Sequence, residues 1–250
     1  MSEKILFQLP IGTHKPILEF IISYAENLIE MQVDLDTDIK AITNQVANVP
    51  MFMNQPSSFF SSGVDSAKAF YDVHKNSENH ILVAPNYDLS YTEDELHLNG
   101  AGYFMLGERF HNSFLQTVWK GVKWQPLMPK TITRIDNTIK IEYFVPVGEI
   151  EIDVASFSDA GQYGFEFYND VDGVVAISSI SKTAPDELTL VVSGNPIVGN
   201  SVLRYGLNGH VDTRRPSTQA RGNIRDSSDQ LSRHNNLPLY NWGVHFEENV

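Results

Sequence analysis

The chain has 250 residues, 31 acidic against 18 basic, for a formal net charge of −13. That balance disfavours nucleic acid as a partner, because neutralising phosphates takes clustered Lys and Arg. The absence of cysteine removes disulfides, thiolate nucleophiles and Cys-based zinc sites together. With 42% hydrophobic and 11% aromatic residues the chain can build a real core, and it has no apolar stretch near the roughly 20 residues of a membrane span.

The start, Met1 to Lys4 followed by Ile5 to Leu9, is too short for a signal-peptide core, so a soluble protein with no membrane partner is expected, its compartment undetermined. Next, Ile17, Phe20, Ile21, Tyr24, Leu28 and Met31 recur at helical steps, with Pro16 acceptable in a first turn, and predict an amphipathic helix. Asp34, Asp36 and Asp38 have the spacing that opens a calcium loop, but Ile39 stands where Gly is needed and Gln45 where a bidentate Glu is needed. They read as a solvated helix end. Pro50 to Gln55 and His80 to Pro85 are short apolar runs ended by turn-forming residues, with helical spacing from about Val64 to His74 between them. This predicts a strand-helix-strand unit and a fragment of parallel sheet. Asn99 is placed to cap a helix carrying Tyr103, Leu106, Phe110, Phe114 and Leu115, ending near Trp119 and Gly121.

Beyond Pro129 the helical period gives way to strand-like alternation at 131–136, 138–145, 149–155, 163–169, 174–181, 187–193 and 202–207, which favours a β-sandwich. Residues 209–238, rich in Arg, Ser and Asn, are expected as a long polar surface loop, with Leu239 to Phe246 docking back on the body. In that loop Arg214, Arg215, Arg221, Arg225 and Arg233 are diluted by Asp212, Asp226 and Asp229, so a self-paired, solvated segment is expected ahead of a contact with an acidic glycan or with the neighbouring domain. Trp119, Trp124, Trp242 and Tyr240 are of the type that stacks on sugars, although aromatic residues at a junction mostly pack. Two parts follow, an α/β part over 1–125 and a β-sandwich-like part over 126–250.

Asp94 stands three residues before His97 on a loop leading into the Asn99 helix, a spacing that can set a carboxylate against one imidazole nitrogen while the other faces a cleft. Such pairs also recur by chance. The seven other histidines, at 14, 74, 80, 111, 210, 234 and 245, show no metal-ligand spacing and read as surface or packing residues.

The run DELHLNGAGYFMLGERF, from Asp94 to Phe110, resembles the last sequence block of the SGNH (GDSL-type) hydrolases, where Asp and His of a Ser-His-Asp triad precede the final helix. DIKAITNQ, PMFMNQ and HILVAPNYDL resemble later strands and helices of that fold, while GFEFYND, ARGNIRDS and LYNWGVHF resemble the β-rich extension of carbohydrate esterases of bacteria and phage tails. The resemblance implies an α/β fold, a partial SGNH (flavodoxin-like, three-layer) portion followed by an all-β sandwich-like domain. It implies a serine esterase removing O-acetyl groups from a polysaccharide without metal or organic cofactor, with His97 as general base and Asp94 orienting it. The Gly-Asp-Ser block that supplies the family's nucleophile, and the Gly and Asn blocks of its oxyanion hole, are not found ahead of residue 16. Gly63-Val64-Asp65-Ser66 comes nearest but follows the wrong strand, so Ser66 reads as a helix-start residue, and Ser57, Ser58, Ser61 and Ser62 as a polar loop. The chain therefore resembles the carboxy-terminal part of such an enzyme, expected to self-associate or to bind an amino-terminal partner fragment through the edge of the Pro50 to Gln55 strand, unless Lys4 to Leu9 folds back as a substitute strand. The alternative is a catalytically silent carbohydrate-binding or structural protein, of phage-tail type.

Overall fold

The computed structural model describes residues 23–58, 65–194, 199–208 and 221–250. Helix α1 spans Tyr24–Thr43 and begins at a complete capping box: Glu26 N–H donates to Ser23 Oγ at 3.2 Å, and Ser23 N–H to Glu26 Oε2 at 2.6 Å. The helix predicted from Ile17 is thus described only from Tyr24 on; Ile17, Phe20 and Ile21 lie outside the described residues. It also runs further than predicted. Asp34, Asp36 and Asp38 sit inside it, Lys40 donates to Asp36 one turn back at 2.6 Å, and the helix stops where Asn44 adopts a left-handed conformation (φ 57°).

Strands β1 (Met51–Gln55) and β2 (His80–Pro85) are parallel, with helix α2 (Asp65–Asn76) as their crossover. Met51 and Met53 pack with Leu28 of α1 and Ala69 and Val73 of α2, while Phe52 faces the other side and meets Phe114 of helix α3 (Gly100–Phe114), ring centroids 5.9 Å apart. Helices therefore cover both faces of this small sheet, the α/β layering expected of a parallel pair. Asn99 caps α3 as predicted, accepting from Gly102 N–H at 3.0 Å, and a π-helical turn over Leu115–Trp119 carries the helix on. Among the described residues no helix is long and apolar enough to cross a membrane.

The second part is all β. Strands β3 (Met128–Ile135), β4 (Thr138–Phe144), β8 (Ile177–Ala184) and β9 (Glu187–Val192) form one antiparallel sheet in the order β3-β4-β9-β8. Strands β6 (Phe165–Asn169), β7 (Gly173–Val175), β10 (Ser201–Tyr205) and β12 (Phe246–Asn249) form another in the order β12-β10-β6-β7, and β5 (Ile150–Ile152) pairs with β11 (Ile224–Asp226). Every second residue points inward: Ile139, Ile141, Leu188 and Leu190 from the first sheet meet Phe165, Phe167, Leu203 and Phe246 from the second in one buried cluster. Tyr71 of α2 and Leu82 of β2 belong to the same cluster, so the α/β and β parts share a core.

Of the expected surface loop, residues 221–228 turn inward instead, whereas 229–238 are largely exposed as expected. Arg221, Asn223, Ile224 and Asp226 are fully buried. The polar groups turn inward because each finds a distant partner: Arg225 Nε meets Asp153 at 2.6 Å, Asn223 Nδ2 donates to the carbonyls of Asp153 and Phe157, and Asp226 accepts from Asn241 N–H and Nδ2. Arg214 and Arg215 lie outside the described residues, and Arg233 is exposed. The terminal segment docks as predicted, with Leu239, Trp242, Val244 and Phe246 buried. It fastens both parts: Val244 N–H donates to Leu127 O, Gln55 exchanges two bonds with the His245 backbone, and Lys68 of α2 meets Glu247 at 2.5 Å.

Candidate active site

Residues 86–99 leave the carboxyl end of β2 and enter α3, and their foot is buried while their tip is exposed. Tyr87 is fully enclosed and donates to Gly243 O at 2.7 Å; Asp88 pairs with both guanidinium nitrogens of the buried Arg109 of α3. Asn99 N–H donates to Ser90 O at 2.9 Å and Thr92 N–H to His97 O at 2.8 Å, closing residues 91–98 into a narrow turn.

Asp94 and His97 face each other across that turn. His97 Nδ1 is 2.6 Å from Asp94 Oδ2, and Asp94 Oδ1 accepts from the Leu96 and His97 amides at 3.0 Å and from Thr92 Oγ1 at 2.5 Å. Glu95 between them takes the left-handed conformation (φ 60°) that lets the carboxylate turn back onto the amides. His97, then Thr92 and the two amides, hold the Asp94 carboxyl well below the usual carboxylate range, so it is ionised at any ordinary pH. A carboxylate on Nδ1 puts the imidazole proton there and leaves Nε2 as a proton acceptor, the arrangement a general base requires. The pair is open to water, with 63% of the His97 side chain and 50% of Asp94 exposed. Among the described residues no hydroxyl bonds to the His97 ring.

The loop is pressed onto α3 at Gly102, where a Cβ would lie 2.3 Å from Ser90 O. Gly102→Ala is expected to cost about 1–3 kcal/mol and to displace the 90–99 loop. Urea denaturation with the His97 imidazole NMR signals reads both, and an unchanged midpoint would remove this contact from the account.

Of the serines at 57–66, Ser57 is seen engaged elsewhere. Ser66 lies in the first turn of α2, Ser61 and Ser62 are outside the described residues, and the hydroxyl of the buried Ser57 is 2.7 Å from Nε2 of the buried His245 while accepting from Asn86 N–H at 3.1 Å. Burial holds the His245 imidazole down to about 3, hence neutral, and a Cβ on Gly206 would meet its Nδ1 at 2.6 Å. No local pattern announces this buried Ser57–His245 pair, whose members are 188 residues apart. His74 and His80 are likewise buried, His111 and His234 exposed, and His14 and His210 outside the described residues. Of the aromatic residues, Trp242 is buried, Trp124 donates to Val83 O, Tyr240 packs on the Arg225 guanidinium at 3.9 Å, and Trp119 is exposed.

No protein-family model matches the sequence, and no curated protein does. Among solved structures, one crystal structure is alike over 90% of this chain, with a TM-score of 0.51 and 12% sequence identity: a carbohydrate acetylesterase from Xanthomonas citri. The chain shares the fold of part of that enzyme. The match takes in 46% of the enzyme's length, so this chain spans less than half of it. The surface layer protein SbsC matches 80% of the chain at a TM-score of 0.28 and 11% identity, too low for any inference.

Proposed function

We propose that the chain carries the His-Asp part of an esterase that removes O-acetyl groups from a polysaccharide, its serine block being absent from this sequence. The observation that supports it is the 2.6 Å contact of His97 Nδ1 with an Asp94 carboxylate that three further bonds hold in place. In this reading His97 Nε2 takes the proton of a serine hydroxyl as its oxygen attacks the acetyl carbonyl and returns it to the sugar oxygen as the ester C–O bond breaks, leaving acetyl-serine; water, deprotonated by His97, then attacks that ester, and the proton passes to the serine oxygen as acetate leaves. Asp94 stabilises the imidazolium formed in between. No metal or organic cofactor enters these steps.

A second reading, a catalytically silent carbohydrate-binding or structural protein of phage-tail type, is favoured by the openness of the pair and by the engagement of the Ser57 hydroxyl with His245. Titrating the full chain with an O-acetylated xylo-oligosaccharide and with its deacetylated form, while following the His97 imidazole resonances, tests the site. The acetylated sugar is expected to shift them and the deacetylated one to shift them less; equal or absent shifts would remove the esterase reading. With p-nitrophenyl acetate the chain alone is expected to turn over no faster than its His97→Ala variant. Robust turnover lost on that substitution would show that a nucleophile is present after all.

A further inference from the structure

We propose that the outer edge of β1, with the apolar groove beside it, seats an extended strand from a second, different polypeptide. The inference stands whether or not His97 and Asp94 act on an ester. The two edges of the small parallel sheet differ. The outer edge of β2 is closed by side chains: Leu82 N–H donates to His74 Nδ1 at 3.1 Å, Val83 O accepts from Trp124 Nε1 at 3.1 Å, and all six residues of the strand are buried. Among the described residues the outer edge of β1 has no such cover; Lys4 to Leu9 lie outside them. Met51 N–H donates to Asn79 O at 2.7 Å, so Met51 and Met53 bond towards β2, and the two-residue period turns the N–H and C=O of Phe52 the other way. Among the described residues no strand pairs with that side.

Apolar surface accompanies the open edge on both faces. On one lies a groove of about 420 Å³ lined by Tyr24, Leu28 and Met31 of α1, Met51 and Met53 of β1, and Phe70 of α2. On the other, beyond Phe52, the side chains of Phe114, Val118 and Trp119 are exposed. A parallel strand is normally buried on both faces by helices and flanked by a neighbour. β1 has the apolar faces of such a strand and no neighbour among the described residues, which is the geometry that recruits a strand by edge addition. The same fold occurs with more polypeptide around it, since the Xanthomonas citri acetylesterase extends over more than twice the matched length.

Charge decides between a second copy and a different chain. Helical spacing from Met31 sets Asp34 and Asp38 along the same stripe of α1, with Glu30 beside it, all exposed. Two copies meeting at this edge would oppose these carboxylates, on chains that each carry a net charge of −13. The matching occupant is a strand apolar at alternate positions with Lys or Arg at its ends.

The test uses the full chain and a labelled seven-residue peptide, Val and Thr alternating between terminal lysines. The Phe52 amide is expected to exchange rapidly in the chain alone and to gain about tenfold protection with saturating peptide. Met31→Glu, at an exposed position in the groove, is expected to weaken peptide binding about tenfold, whereas Val171→Glu, far from it, leaves binding unchanged. Added salt weakens binding. Three results would overturn the proposal: Phe52 already protected in the dilute chain, which means the edge is closed from within; protection that rises with chain concentration alone, which means a second copy; or no protection by the peptide.

Discussion

Lowering the pH from 7 to about 4.5 is expected to remove several kcal/mol of stability, chiefly through His74 and His245. Burial holds the His74 imidazole down to about 4, aided by the Lys123 charge, and burial holds His245 down to about 3. In the unfolded chain both take a proton near the ordinary value of about 6.5. Below that pH the unfolded state binds more protons than the folded one, so stability falls with falling pH until the folded values are reached, on the order of 3 kcal/mol for each group by pH 4. At His74 a charged imidazole carries a proton on Nδ1, so the ring can no longer accept from Leu82 N–H and donates to His80 O instead, leaving the Leu82 amide without its acceptor. At His245 the charge would arise beside the Ser57 hydroxyl in a site without water contact. The buried carboxyl of Asp226, raised by burial, works the opposite way, and the lowered carboxyls of Asp94, Asp153 and Glu247 act mainly below pH 4. Urea midpoints at half-unit pH steps, compared with His74→Gln and His245→Phe, measure the slope. A profile flat between pH 6.5 and 4.5, or one that neither variant flattens, would dispose of this account.

How far the sequence could be read follows from the range of the interactions. The cap of α3 and the Asp94–His97 contact were legible because they are local: Asn99 reaches Gly102, and the carboxylate reaches a ring three residues on. The strands of the sandwich were legible because their alternation is the burial itself, although the predicted strand 174–181 is broken into β7 and β8 at Ala176. Residues 221–228 were not legible. Their polarity reads as solvation, yet Arg225 is satisfied by Asp153, 72 residues away, and no local pattern announces such a partner. The same holds for α1, whose three aspartates read as a helix end because the Asn44 cap lies beyond them and Asp36 is bonded to the Val49 amide, 13 residues on. Asp94 and His97 are thus the part of the candidate site that a chain of local interactions can announce; what covers them is a long-range matter.

Removing the Arg109 side chain as Arg109→Met is expected to cost about 3–5 kcal/mol and to loosen the loop that bears His97. Arg109 is 2% exposed and its partner Asp88 6%, so neither charge has water to fall back on. The guanidinium forks onto both oxygens of Asp88 and also donates to Tyr240 O at 3.0 Å, joining α3, the foot of the 86–99 loop and the returning terminal segment. Methionine fills much of the same space, so the loss comes from an uncompensated carboxylate rather than a cavity. Asp88 must then protonate or drag its loop towards water, and Asp94 and His97 six and nine residues on move with it. The double variant Arg109→Met with Asp88→Leu removes both charges, and most of the stability is expected to return. It does not return the site to full order, because the Tyr240 carbonyl has lost its donor and the loop its tether to α3. Urea midpoints of the two single variants and the double one give the coupling energy, and the His97 ring proton signals report the loop. A single variant as stable as the parent would show that the pair is solvated in solution. A double variant no more stable than Arg109→Met would place the loss in the Arg109 bonds to the backbone, and the buried charge would not be what anchors the loop.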